Sequence, residues 1–292
     1  MQVGAWASDE HRIVFRGRAF RSKSAAARSS LFAQTLEMEI PPPTGLVTLL
    51  TDFGTSDPYV GIMKGMVKRH HARAEVLDYC HGVPAQSVAV GAFYLRAAIG
   101  RFPTGTVHVA VVDPGVGTAR RILCVCAEEC YWIGPDNGLL EAILPQPNDE
   151  LGTREVRVVD LDAVKLRPTS RTFHGRDIMA PLAGMLASTR FGFRAVGPRV
   201  TDPVRLQPAS ARGHVLHVDA FGNLITDVPA SVLDGTDALT ILGRRVRVVG
   251  TYGDAKQGEL VALVSSFGLV EIAERDGSAA RELSLTRGDK VL

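Results

Sequence analysis

From residue 46 onward the chain alternates two hydrophobic rhythms. Residues 46–52 (LVTLLTD) form a short apolar run that ends in an acid, as a buried parallel strand does. Residues 59–68 space their apolar positions as a helix, and 75–80 (EVLDYC) return to strand character. A second helix is predicted over 87–102 and a strand over 106–113 (TVHVAVVD). A hairpin follows, built from 121–126 and 131–134 and joined across 127–130. A short helix over 137–144, a strand over 155–160 and a helix over 177–189 complete this half. Strands alternating with helices at this spacing predict an α/β domain, residues 45–200, with a largely parallel central sheet.

The rhythm then changes. Residues 197–212 hold three prolines (Pro198, Pro203, Pro208) and little periodicity, which reads as a linker. Beyond it come only short strand-like runs, at 214–218, 223–228, 239–249, 260–264 and 269–273, with turn residues between them. This pattern predicts a small antiparallel β-barrel domain over residues 201–292.

Composition narrows the class. A chain of 292 residues with 46% hydrophobic and 22% charged positions can bury a sizeable core. Its 33 Lys+Arg against 31 Asp+Glu give no argument for a nucleic-acid or membrane partner. No apolar run reaches the roughly 18–20 residues that span a bilayer. Four cysteines are too few for a disulfide framework, and the C-x-C-x3-C spacing of Cys124, Cys126 and Cys130 is not a zinc pattern. Buried reduced thiols and a cytoplasmic location are expected. Residues 1–44 stand apart, with six basic residues and no acid between His11 and Thr35, closed by Pro41-Pro42-Pro43. This stretch reads either as a disordered extension or as an organellar targeting segment, with ordered chain from Leu46.

The candidate chemistry sits at strand ends. Asp52 in TDFG and Asp113 in DPGVGTAR each close a strand before a glycine turn, and GPDNG places Asp136 and Asn137 at a third turn. Ligands of open α/β sheets bind beyond the carboxyl ends of the strands. Any one of these acids also reads as a turn cap. The DPGVGTAR loop lacks the third glycine of a dinucleotide fingerprint, and no G-K-[ST] follows, which argues against a nucleotide triphosphatase. Asp113 and Arg120 lie seven residues apart, close enough for a tight turn to bring them together, either as a loop staple or to orient an anion or water. His174 in TFHGRD precedes a helix and reads as an acid/base, a water-holding group or a backbone-bonded histidine. Asp219-Ala220-Phe221-Gly222-Asn223 reads as a β-turn whose acid and amide could also hold a zwitterion.

Taken in order, TDFG, PYVG-x-MKG, VVDPGVGT-x-RR, GPDNG, TFHGRD and D-x-FGN resemble the S-adenosyl-L-methionine (SAM) hydrolases, or SAM hydroxide adenosyltransferases, homologous to fluorinase and chlorinase. The resemblance covers the chain from about residue 46 to its end. It implies an α/β domain, a β-barrel domain and a homotrimer with sites between subunits. It places a hydrolytic triad on Asp113, Arg120 and His174, and the ribose contact on Asp52. The methionine end falls on Asp219 and Asn223, and Asp136, Asn137 and Ser266 join the substrate-binding set. SAM is then the substrate, and no cofactor or metal is expected. Halogenating members lack the Asp-Arg-His set, and only residues 100–104 join the second helix to the next strand, leaving no room for the extra fluorinase loop. Phe267 stands where the fluorinase has an arginine. The alternatives are a SAM-dependent halogenase, a SAM or adenosine sensor without turnover, and a metal-dependent phosphoesterase.

Overall fold

Period-two alternation along the central strands divides the N-terminal core into two layers. The structure, a computed structural model, describes residues 38–147, 149–150, 152–206 and 213–292. The expected extension lies outside the described residues up to 37, as does the end of the linker. The chain just before Leu46 is already tied down: the Tyr131 hydroxyl donates to the Pro41 carbonyl and Arg194 to that of Met38. Six strands, β1 (Leu46–Thr51), β2 (Glu75–Cys80), β3 (Val107–Val111), β4 (Ile122–Ala127), β5 (Cys130–Pro135) and β6 (Glu155–Val158), form a sheet of order β2-β1-β3-β5-β4-β6. The β1–β2, β1–β3 and β3–β5 pairs are parallel, and β4 runs antiparallel to both neighbours, so the sheet is mostly parallel.

Val47, Leu49, Val107, Val109 and Val111 point to one face, where α1 (Tyr59–His70) and α3 (Ala180–Ala187) cover them. Leu50, Ala110 and Val112 point to the other, against α2 (Val88–Ala98) and the buried side chains of 139–144. The expected helix over 137–144 is instead a run of turns. Asn137 Oδ1 accepts the Leu139 N–H at 3.1 Å, and Gly138 holds φ +93°, a combination that ends any helix before it nucleates. One turn of π-helix, Gly175–Met179, precedes α3.

The C-terminal half is a second six-stranded sheet of β7 (Val215–Val218), β8 (Leu224–Pro229), β9 (Ala238–Ile241), β10 (Arg244–Val248), β11 (Leu260–Val264) and β12 (Leu269–Glu274), in the order β7-β8-β12-β11-β10-β9. The run at 239–249 breaks into a hairpin at Leu242-Gly243. The sheet is mixed rather than wholly antiparallel, because β10 pairs parallel to β11. Its ladder runs from β7 to β9 with no closing pair among the described residues. A short helix, α4 (Ala279–Leu283), escapes the sequence pattern; Ser278 caps it by accepting the Arg281 N–H. Phe93 of α2 packs edge-on to Phe267 at 4.9 Å and sits beside Ile225 and Leu269, which joins the two halves. Among the described residues no helix is long and apolar enough to cross a membrane.

Candidate active site

The strand order has a switch point at β1, with β2 on one side and β3 on the other. Open α/β sheets bind ligands in the crevice that such a reversal leaves. Thr51 and Val111 are in register at the ends of β1 and β3, so Asp52 and Asp113 emerge side by side at that crevice. Asp52 is oriented by the Gln86 N–H, which donates to Oδ2 at 2.7 Å.

The loop after β3 is folded by its own turns, with the Val116 N–H on the Asp113 carbonyl and the Thr118 N–H on that of Gly115. These turns bring Arg120 back against Asp113. Nε donates to Oδ1 at 2.8 Å and Nη2 to Oδ2, a bidentate pair whose side chains are 9% and 5% exposed. Arg120 Nη2 also meets His174 Nδ1 at 2.9 Å. A guanidinium only donates, so Nδ1 is the acceptor and the neutral ring carries its proton on Nε2. Burial, then the Arg120 charge, lowers the His174 pKa below the ordinary histidine value, which keeps the ring neutral at pH 7. Arg120 Nη1 is buried and has no protein acceptor among the described residues.

Asp177 fixes the approach to His174. Its Oδ2 accepts the N–H groups of Thr169 at 3.0 Å and Ser170 at 2.8 Å, and its Oδ1 accepts Arg176 Nε at 2.6 Å. The bond from Arg176 holds the Asp177 carboxyl below its usual range. Asp52, Asp113 and His174 line one cleft of about 760 Å³. Phe53, Tyr59 and Phe173 wall it with rings in mutual edge-to-face contact, 5.4–5.7 Å between centroids. Sequence spacing gave no signal for Gln86 or for this aromatic wall.

The remaining expected residues separate from these. Asp219, Asn223 and Ser266 line a second cleft of about 1150 Å³, formed by the C-terminal half together with Phe93 and Tyr94 of α2, which shares no lining residue with the first. The Asp219 turn forms as expected: Oδ1 accepts the N–H groups of Phe221 and Asn223, both at 2.9 Å, and Oδ2 accepts Asn223 Nδ2 at 3.0 Å. Phe221 is 79% exposed at this cleft. Glu271 also lines it, and sequence reasoning missed this acid although it interrupts the apolar run of β12. Its Oε1 accepts the Tyr252 hydroxyl, its other oxygen takes no hydrogen bond from a described residue, and burial pushes its carboxyl up. Phe267 packs on Phe93 at the edge of the same cleft.

Asp136 and Asn137 line neither cleft. Asp136 is 5% exposed, with Oδ2 on Arg121 Nε at 2.6 Å and Oδ1 on the Val204 N–H at 2.7 Å. Asn137 Nδ2 donates to the Val112 carbonyl at 2.9 Å. Among the described residues no group of three or more His, Cys, Asp or Glu is placed to hold a metal ion.

Comparison with known proteins places the chain in a family. A solved structure of an uncharacterized conserved protein from Thermotoga maritima superposes with a TM-score of 0.74 at 31% identity, covering 84% of this chain and 100% of that one. An (R)-S-adenosyl-L-methionine hydrolase of Thermus thermophilus is 38% identical over 257 residues, which are 84% of this chain and 98% of the relative. A fluorinase of Actinopolyspora mzabensis is more distant, 27% identical across 84% of this chain and 96% of its own. The SAM hydroxide adenosyltransferase N-terminal domain matches residues 47–197 and the C-terminal domain matches 213–292. The chain therefore belongs to the SAM hydroxide adenosyltransferase family.

Proposed function

We propose that the protein hydrolyses SAM to adenosine and L-methionine by in-line attack of water or hydroxide on C5′. The observation that carries this reading is Arg120, fixed by both oxygens of Asp113 and donating to Nδ1 of His174, which with Asp52 and Asp113 lines the first cleft. The Nε2–H of His174, which lines the cleft, is the donor that holds the attacking oxygen, and the guanidinium charge behind it favours the hydroxide form. The O–C5′ bond forms as the C5′–S bond breaks, and the electron pair returns to sulfur as the neutral thioether of methionine. This leaving group needs no acid, and one proton is released per turnover to solvent. Asp113 has both oxygens on Arg120, so it fixes the guanidinium rather than accepting the proton. Asp52 takes the ribose diol, and the ring wall of Phe53, Tyr59 and Phe173 excludes competing water. No metal or cofactor enters this scheme.

The methionine end goes to the second cleft, where Asp219 and the free oxygen of Glu271 face the ligand space without a Lys or Arg partner among the described residues. An ammonium compensates such carboxylates where a neutral donor does not. The two clefts of one chain share no lining residue, which supports reading the complete site as the first cleft of one copy and the second of its neighbour, in a homotrimer. Co-expression of Asp113→Ala with Asp219→Asn, each inactive alone, should restore about a quarter of the wild-type rate, the share of randomly mixed sites with both halves intact. No restored activity in the mixed oligomer would place each site within one chain.

The function itself is tested by incubating the protein with SAM, with and without chloride, and separating the products. Adenosine and methionine should form without halide, and His174→Ala should abolish them. A 5′-halo-5′-deoxyadenosine formed only with chloride would assign a halogenase, and SAM bound without turnover a sensor.

A further inference from the structure

The GPDNG turn lies behind the Asp113–Arg120 loop and grips both of its stems. On the entering stem, Asn137 Nδ2 donates to the carbonyl of Val112, the residue before Asp113, at 2.9 Å. On the leaving stem, the Asp136 N–H donates to the carbonyl of Arg121, the residue after Arg120, at 3.0 Å. The Asp136 carboxylate returns the contact by accepting Arg121 Nε at 2.6 Å. A third strand of chain is caught in the same clasp: Asp136 Oδ1 accepts the Val204 N–H at 2.7 Å, and Arg121 donates to Asp202 Oδ1 at 2.9 Å and to its carbonyl at 2.7 Å. Every polar atom of the Asp136 and Asn137 side chains is thus occupied by protein, and neither residue lines either of the two clefts.

We propose that Asp136 and Asn137 are positioning residues, which fix the two stems of the loop at the spacing that lets Arg120 reach Asp113 and His174 together. The physical need is clear from the triad. One nitrogen, Arg120 Nη2, bonds both Asp113 Oδ2 and His174 Nδ1, so the guanidinium has a single acceptable placement. A loop of turns alone does not hold a long side chain to that tolerance, and small misplacements of reacting groups cost catalysis steeply. The clasp acts on the loop through the backbone at Val112 and Arg121, outside the lining of both clefts. On this reading Asp136 and Asn137 serve the loop and not the substrate, and the kinetic consequence rests on the reading of Asp113, Arg120 and His174 as the hydrolytic set.

Asn137→Asp keeps the shape and the acceptor to Leu139 but loses the donor to Val112. It should lower kcat for SAM hydrolysis by about 10- to 100-fold with KM changed less than about threefold. The His174 titration, followed by NMR, should move upward as Arg120 withdraws; the charged groups facing that ring are Arg120, Asp113 and Asp177. Arg121→Lys, whose parent side chain is 32% exposed, keeps the charge but loses the forked grip, and should show the same signature if Asn137→Asp does not fold. A raised KM with unchanged kcat, or a His174 titration that stays in place while kcat falls, would overturn the clasp. Wild-type protein that fails to hydrolyse SAM would overturn the proposed reaction instead, and the His174 titration would still decide the clasp.

Discussion

Replacing Arg120 by alanine is expected to lower kcat for SAM hydrolysis by at least about 10²–10³-fold, the cost of losing one preorganised charge-stabilising donor. The change removes more than a donor. It leaves the Asp113 carboxylate, 5% exposed, without the cation that both its oxygens bind, and His174 Nδ1 without its bond. SAM affinity should fall much less, by less than about fivefold, because the binding contacts assigned to Asp52 and the second cleft do not pass through Arg120. A buried carboxylate without its partner also destabilises, by about 3–5 kcal/mol, so the alanine variant needs a companion. Arg120→Lys retains a charge for Asp113 but cannot bond two carboxylate oxygens and an imidazole from one planar group. It should fold, bind SAM and turn over at an intermediate rate. Single-turnover rates together with calorimetric Kd values check both. Full activity in the lysine variant, or equal losses in binding and turnover, would remove Arg120 from the chemistry.

The sequence makes some of this geometry legible and conceals the rest for identifiable reasons. Alternation of apolar positions locates the central strands because β1 and β3 bury both faces, and their terminal acids follow from where the apolar runs stop. The Asp113–Arg120 pair is foreshadowed by its spacing, since a glycine-containing turn between residues seven positions apart returns the chain on itself. His174 is not: its approach depends on Asp177 and on the π turn ahead of α3, which no local periodicity encodes. The 137–144 segment reads as a helix from Leu139, Leu140, Ile143 and Leu144, yet all four are buried by a chain that Asn137 and Gly138 have already turned away from helix. Asp136 is opaque for a further reason. A D-N-G turn serves a ligand or a fold equally well, and here a backbone N–H 68 residues away and a neighbouring arginine decide it. The parallel β10–β11 pair is equally non-local, because strand direction is set by the excursion between the two strands and not by their composition.

The core beneath the catalytic strand carries the second large expectation, a loss of stability in acid. His108 stands on β3 with its ring stacked on Trp132 at 4.0 Å and 20°, edge-on to Phe102 at 5.0 Å, and Nδ1 on Thr48 Oγ1 at 2.7 Å. Its Nε2 is buried without a hydrogen-bond partner among the described residues, so a proton added there finds no acceptor. Burial pushes the His108 pKa down to about 3, from 6.5 in the unfolded chain. The unfolded state therefore takes up the proton first. Stability is complete above pH 6.5 and drains as pH falls toward 3, by on the order of 4 kcal/mol in all. Between pH 7 and 4.5 this one ring accounts for about 2–3 kcal/mol. Carboxylates held low in the fold, such as Asp177 and Glu155, add their own losses further down the acid range. Urea denaturation of wild type and His108→Phe at the two pH values isolates the histidine, since phenylalanine keeps the stack and cannot titrate. The variant should lose about 2–3 kcal/mol less than wild type on acidification, whatever its stability at pH 7. Equal losses would mean that the fold opens to solvate His108 before it is protonated, and that the strand presenting Asp113 is far looser in acid than its packing implies.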